Sequence, residues 1–133
     1  MMRFAPGVAL SLLVFNAGCD SAPARSQLIG GWAILDHAPV GSREANCATD
    51  YAVSFEPDGK YGGYYESGTW ALSANSLVIM VKASNYASGG EAPEVPLIPP
   101  KQYNWKIMEL NGPIARIEAP DRKFWLYRCE AKG

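Results

Sequence analysis

Residues 55 to 81 contain three turn signals that separate short runs rich in aromatic and β-branched residues. The signals are Pro57-Asp58-Gly59, Ser67-Gly68 and Ala74-Asn75. Glycine supplies the positive φ that tight hairpin turns need, and the runs between the signals alternate with a period of two. The stretch therefore predicts an antiparallel meander in which each strand presents one face to a core.

The same pattern over the rest of the chain predicts eight strands. Their expected ranges are 29–37, 50–56, 60–66, 69–73, 76–83, 102–110, 114–119 and 123–129. Asn111-Gly112 and Pro120-Asp121-Arg122 are further hairpin signals. Short antiparallel strands in this number can close into a barrel, which removes the edges that invite aggregation. We predict an all-β fold, a small eight-stranded antiparallel up-and-down barrel, with a sandwich of two sheets as the alternative.

Alternation within the strands predicts which side chains form the core. The candidates are Tyr51, Val53 and Phe55, then Trp70 and Leu72, and then Leu77, Ile79 and Val81. A change of phase between Trp105/Ile107 and Met108/Leu110 predicts a β-bulge, and Gly62-Gly63 predicts a bend. Because a barrel of eight strands is filled by side chains or just holds one small molecule, the bulky aromatic residues favour a filled interior.

Length and charge narrow the functional classes. A chain of 133 residues is one domain at most. Twelve Lys and Arg against 13 Asp and Glu give a formal net charge of −1. This balance offers no basic surplus of the kind that attracts proteins to nucleic acid, so we expect no nucleic-acid partner.

The first 18 residues predict a signal peptide. Arg3 precedes an apolar stretch at 8–15 that is too short to span a bilayer, and small residues follow it. The exit Asn16-Ala17-Gly18-Cys19 resembles the bacterial lipobox, in which a cysteine is diacylated and becomes the new N-terminus. Cleavage after Ala22-Pro23-Ala24 is the alternative.

On the lipobox interpretation the protein is a lipoprotein of the bacterial cell envelope, anchored to the membrane through Cys19 and facing the periplasm. We expect a signal peptide at 1–18, a flexible tether at 19–27 and a β-barrel domain at 28–133. Lipidation of Cys19 leaves Cys47 and Cys129 as an even pair in an oxidising compartment. We therefore predict a Cys47–Cys129 disulfide.

Two longer connections interrupt the meander, at residues 38–49 and 84–101. Loops longer than about 12 to 15 residues without structure of their own are usually functional lids or disordered segments. The second connection carries Gly89-Gly90 as a hinge and four apolar residues, three of them among its prolines. These residues are the candidate ligand or partner surface: Tyr86, Val95, Leu97 and Ile98.

Catalytic chemistry has little support in the sequence. The single histidine, His37, has no companion ligands at a useful spacing, and no nucleophile elbow or phosphate-binding glycine loop occurs. Glu56, Asp58 and Glu66 could approach one another across a hairpin, which is more typical of a solvated rim than of an acid/base pair. We expect no enzyme activity, no cofactor and no metal.

Gly30-Gly31-Trp32 resembles the Gly-x-Trp motif of lipocalins and related small barrels, and Arg128 matches the basic residue of the last strand in that family. The resemblance implies that Trp32 closes one end of the barrel while Arg128 packs over its indole. The predicted barrel and the long apolar connection at 84–101 suggest a small apolar or lipid-like ligand. The alternative is a protein-binding role, such as inhibition of a periplasmic hydrolase, which small size, a disulfide and an exposed loop suggest.

Overall fold

The computed structural model describes residues 22–38, 47 and 51–129. Eight antiparallel strands follow one another around a closed barrel, and the last strand pairs with the first. They are β1 (Gly30–Leu35), β2 (Ala52–Phe55), β3 (Lys60–Gly63), β4 (Glu66–Ser73), β5 (Ser76–Ser84), β6 (Val95–Asn111), β7 (Ile114–Ala119) and β8 (Arg122–Arg128). The predicted up-and-down barrel is confirmed, and the two-sheet sandwich is wrong. Among the described residues, no helix is long and apolar enough to cross a membrane.

Two of the three turn signals in the central meander form hairpin turns. At Pro57–Gly59 the Gly59 N–H donates to the Glu56 carbonyl at 3.0 Å, and Gly59 has a φ of 92°. Ala74 takes a φ of 54° between β4 and β5. Both positions need a positive φ because the chain reverses over two or three residues.

The prediction of a turn at the third signal, Ser67-Gly68, is wrong. The chain reverses two residues earlier, at Tyr64-Tyr65, where Tyr65 has a φ of 62°. Ser67 and Gly68 lie within β4, at a shift in its register with β5. A Cβ atom added to Gly68 would stand 1.7 Å from the Met80 carbonyl oxygen. Glycine is therefore required there by the close approach of two strands and not by a turn.

The end of the barrel at which β1 begins is packed solid, and we call it the closed end. Its core contains the fully buried side chains Leu28, Trp32, Leu77, Ile79, Ile117 and Leu126, with Phe55 nearly so. Leu77, Ile79 and Val81 alternate inward as predicted. Tyr51, also predicted for the core, is 57% exposed because it precedes β2 at the opposite end.

Trp32 and Arg128 are paired neighbours on β1 and β8 at the closed end. The guanidinium of Arg128 lies 4.3 Å from the centroid of the indole and donates to the Ile29 carbonyl at 2.7 Å. A Cβ on Gly30 would come within 2.6 Å of the same guanidinium. The glycine therefore leaves the space through which Arg128 reaches over Trp32.

Residues ahead of β1 also pack on this end. Arg25–Gln27 form a 3-10 turn, and Arg25 lies over the Trp70 indole at 4.3 Å while it donates to the Pro57 carbonyl at 3.0 Å. Contacts with the barrel thus begin before Leu28, the residue at which we expected order to begin. The expected signal peptide and Cys19 lie outside the described residues.

The expected long lid at 84–101 is much shorter in the structure. Tyr86–Ser88 form a 3-10 turn, and β6 begins at Val95, so the connection spans only 85–94. Val95 pairs with Ser84 and Lys101 with Val81, which leaves residues 97–100 as a bulge opposite Lys82. The prolines at 96, 99 and 100 are the reason that the sequence predicted a loop here and not a strand. They are tolerated because β7 pairs with β6 only from Lys106 onward, so the early part of β6 has one partner strand.

The phase change predicted in the second half of β6 is a bulge, as expected. The register between β6 and β7 shifts between Ile107 and Glu109. Gly62-Gly63, in contrast, mark the end of β3 and not a bend within it.

Candidate functional site

The half of the barrel opposite the closed end contains a cavity of about 760 Å³ that opens to solvent. We call this half the open end; it comprises the Tyr64-Tyr65 turn, the 85–94 connection and the β7–β8 turn. Apolar and aromatic side chains dominate the inner wall: Ile34, Val53, Tyr61, Leu97, Tyr103, Trp105 and Phe124. The expectation of a filled interior is therefore correct for the closed end only.

Small side chains explain why the open half is hollow. Ala119 lines the cavity two residues after the fully buried Ile117 on the same face of β7, and Ala52 and Ser84 are further small residues in the lining. In an eight-stranded barrel the interior has room for side chains or for one small molecule. A few small residues at one level therefore decide whether that level is filled or hollow.

Two carboxylates of the described residues line this cavity: Glu66, which is half-buried, and Asp121, which is exposed on the β7–β8 turn. Glu66 accepts a hydrogen bond from the Tyr61 hydroxyl at 2.9 Å on one oxygen and from the Tyr103 hydroxyl at 3.0 Å on the other. These three side chains, from β4, β3 and β6, are called the Glu66 cluster below. β3 and β4 are adjacent, whereas β6 is separated from β4 by β5, so the cluster connects strands that are not direct neighbours.

Burial sets the protonation of both tyrosines in the cluster. It raises the pKa of Tyr61 well above its ordinary value of 10.0, and the negative charge of Glu66 adds to the effect. The pKa of Tyr103 is raised for the same two reasons, in the same order. Both hydroxyls therefore keep their protons and remain donors to Glu66 at neutral pH.

Gly63 makes room for the cluster. It pairs with Glu66 across the β3–β4 hairpin. A Cβ at this position would lie 2.4 Å from the Tyr61 hydroxyl and 2.9 Å from the Glu66 side chain. The bare glycine backbone thus forms the surface on which Tyr61 and Glu66 meet.

Aromatic rings continue from the cluster along the wall. Tyr103 and Trp105, on the same face of β6, stack with ring centroids 5.9 Å apart, and Trp105 meets Phe124 edge to face at 4.9 Å. Two basic side chains lie against this wall near the mouth. The Lys101 amine is 5.7 Å from the Tyr103 centroid, and the Arg122 guanidinium is 4.6 Å from that of Phe124.

Four tyrosines form the rim on the other side of the mouth. Tyr64 lies with its ring centroid 4.6 Å from Tyr51 and 4.0 Å from Tyr65, and Tyr65 lies 5.7 Å from Tyr86. A Cβ on Gly90 would stand 2.5 Å from the Tyr65 ring, so the 85–94 connection packs directly on the rim. The rim brings three separate parts of the chain together.

The predicted surface residues divide between the cavity and the solvent. Tyr86 and Leu97 line the mouth, whereas Val95 and Ile98 are 59% and 91% exposed on the outside of β6. Cys47 and Cys129 form a disulfide with their Cα atoms 5.8 Å apart, in agreement with the prediction. Cys129 follows β8, so the disulfide lies at the closed end.

The three carboxylates expected near one another are separated. Glu56 and Asp58 are exposed on the β2–β3 turn at the closed end, whereas Glu66 is half-buried in the cavity. The length of β3 separates them. Alternation in β6, which puts Lys101, Tyr103 and Trp105 on one face, indicates part of the wall in the sequence. Nothing local indicates that Glu66 meets Tyr103, because they are 37 residues apart.

No family model, curated protein or solved structure matches this chain. The class of protein is thus defined by the fold alone: a closed eight-stranded antiparallel up-and-down barrel, consistent with a lipocalin-like fold, with a cavity at one end.

Proposed function

We propose that the protein is a non-enzymatic binding protein of the bacterial cell envelope that holds one small, largely apolar ligand in the open half of its barrel. The cavity is the observation that supports this function. Its volume of about 760 Å³ falls within the range of about 300 to 1,000 Å³ typical of small-molecule sites. Such sites are lined mainly by apolar and aromatic side chains with few polar groups, as this one is.

The position of the N-terminal residues bears on how the barrel would stand on a membrane. Arg25 is fixed on Trp70 at the closed end, and only residues 20–24 separate it from Cys19. Five residues reach at most about 17 Å when fully extended. A lipid on Cys19 would hold the closed end near the bilayer and turn the mouth away from it. The ligand would then enter from the periplasm.

Replacement of Cys19 by Ala should move the protein from the detergent phase to the aqueous phase.

Native mass spectrometry of protein isolated from its own envelope tests the binding function. We expect a bound small molecule in the wild type and a much smaller fraction of occupied protein in Ala119→Leu, because the larger side chain fills the cavity. The matched control is Ala71→Leu, which adds the same atoms to an exposed position on β4. Equal occupancy in the wild type and both variants would place the ligand outside the cavity and contradict the proposal.

A second candidate, a protein-binding role such as inhibition of an exported hydrolase, is favoured by the outer surface of early β6. Ile98, within the bulge at 97–100, is 91% exposed, and Val95, three residues earlier on β6, is 59% exposed. Exposed aliphatic side chains of this kind are typical of contact sites when they are grouped. Ile98→Asp should abolish capture of such a hydrolase while ligand occupancy of the cavity stays unchanged.

A further inference from the structure

We propose that the ligand carries a protonated amine on an apolar body and that Glu66 binds this amine. The inference rests on the proposed binding function and specifies the class of its ligand. The observation behind it is a half-buried carboxylate, in an aromatic cavity, whose partners among the described residues are neutral.

Glu66 has no cationic partner among the residues that the structure describes. Its contacts are the two tyrosine hydroxyls, and the ion pairs of the described chain join other acids: Asp58, Glu109 and Glu118. A carboxylate that is partly removed from water is destabilised unless a positive charge or several hydrogen bonds compensate it. A cationic ligand would supply the positive charge that the described residues do not.

The carboxylate also retains free acceptor capacity. Two oxygens offer about four lone-pair sites, and the tyrosines occupy two of them. Because Tyr61 and Tyr103 hold one oxygen each, the group is fixed in place before any ligand arrives. An ammonium group, which has donors only, matches the remaining sites, whereas a second carboxylate would add a like charge.

The neighbouring wall also favours a cation. Aromatic faces attract ammonium and guanidinium groups, and two faces of this wall already have such groups against them. Lys101 lies over Tyr103 and Arg122 over Phe124. Both basic side chains are exposed at the mouth and so are able to turn into solvent when a ligand enters. They are also the groups that would hold an anionic head instead, which makes an anionic ligand the competing result to test.

The experiment compares three probes of equal length, n-octylamine, n-octanol and octanoate, at pH 7 on the full chain. Binding is followed by tryptophan fluorescence, since Trp105 lines the cavity. We expect octylamine to bind the wild type most tightly. Glu66→Gln should weaken octylamine about ten- to a hundredfold, the range of a lost charge-assisted hydrogen bond, and should leave octanol within about twofold. Glu109→Gln, which makes the same change in net charge at the closed end, should leave all three affinities unchanged.

The outcomes separate the inference from the proposed function. Binding of all three probes with equal affinity, or an octylamine affinity that Glu66→Gln does not change, would overturn the amine site and leave a general apolar cavity. Tightest binding of octanoate, lost in Lys101→Gln or Arg122→Gln, would replace it by an anion site. Failure of all three probes to bind would overturn the binding function as well.

A second pair of variants tests the positioning of the carboxylate. Tyr103→Phe removes one hydrogen bond to Glu66 and keeps its charge, so octylamine should weaken by about three- to tenfold, less than in Glu66→Gln. Tyr127→Phe, on β8 and outside the cavity lining, should leave octylamine affinity unchanged. An equal preference for the amine in wild type and Tyr103→Phe would show that the tyrosine does not orient the site.

Discussion

The two halves of this barrel are made from the same eight strands but have opposite interiors. The closed half is filled by Trp32, Phe55 and aliphatic residues with almost no exposed surface. The open half has small side chains in its lining, among them Ala119 and Ser84, and a cavity of about 760 Å³. A single barrel can thus place its stability at one end, where burial is complete, and leave the other end available for a ligand. Substitutions at the closed end should therefore change mainly stability, and substitutions at the open end mainly ligand binding.

The largest expected effect is that of Trp32→Ala. The indole is fully buried, lies under Arg128 and donates to the Leu28 carbonyl at 2.9 Å. Its removal should lower the free energy of unfolding by about 3 to 5 kcal/mol. Chemical denaturation would measure this loss. Trp105→Ala in the cavity wall should cost less; an equal loss would contradict the division into a stable and a binding half.

Reduction of the Cys47–Cys129 disulfide should have the next largest effect. The bond closes a loop with a sequence separation of 82 residues and lies at the closed end. Constraint of the unfolded chain by such a bond is typically worth about 2 to 4 kcal/mol. The melting temperature should fall on reduction, while octylamine binding at a temperature where the protein stays folded should persist. Loss of binding without loss of stability would connect the disulfide to the open half.

Two alanines on β7 allow the halves to be compared by one kind of substitution. Ala115 is fully buried at the closed end, and Ala119, four residues along the same strand, lines the cavity. Ala115→Leu should overpack the core and lower the free energy of unfolding by about 1 to 3 kcal/mol. Ala119→Leu should change it by less than about 1 kcal/mol, because the cavity accepts the added atoms. Similar losses in both variants would mean that the open half is packed as tightly as the closed half.

The smallest effect is expected from alkaline pH. The pKa of Tyr61 is raised by burial and then by Glu66, so the folded state keeps a proton that the unfolded chain loses near pH 10. The stabilisation is complete below that pH and is lost as pH rises toward the raised pKa of the folded state. Above about pH 10, loss of the Tyr61 contribution should lower the free energy of unfolding by up to about 1.4 kcal/mol per pH unit. Tyr103, which is more exposed to solvent, contributes less. Tyr61→Phe should reduce the slope, and an unchanged slope would contradict the assignment.

Much of the fold follows from local patterns. Alternation and turn chemistry predicted all eight strands, the bulge near Ile107 and the burial of Leu77, Ile79 and Val81. The errors occurred where a local pattern has two physical causes. Gly68 is a glycine because the Met80 carbonyl approaches its backbone, and the prolines of early β6 lie on a strand with only one partner. Sequence alone does not distinguish these causes from a turn or a loop.

The sequence by itself determined that this chain forms a meander that closes, because hairpin turns and period-two alternation are properties of residues close together in the chain. Only the tertiary structure decided that Glu66 lies inside the barrel with Tyr61 and Tyr103, and that Ala119 leaves space beside Trp105. These contacts join strands that are far apart in the sequence. Whether a barrel is filled or hollow depends on the sum of side-chain volumes at one level of the closed sheet, and that sum is defined only after the strands have their register.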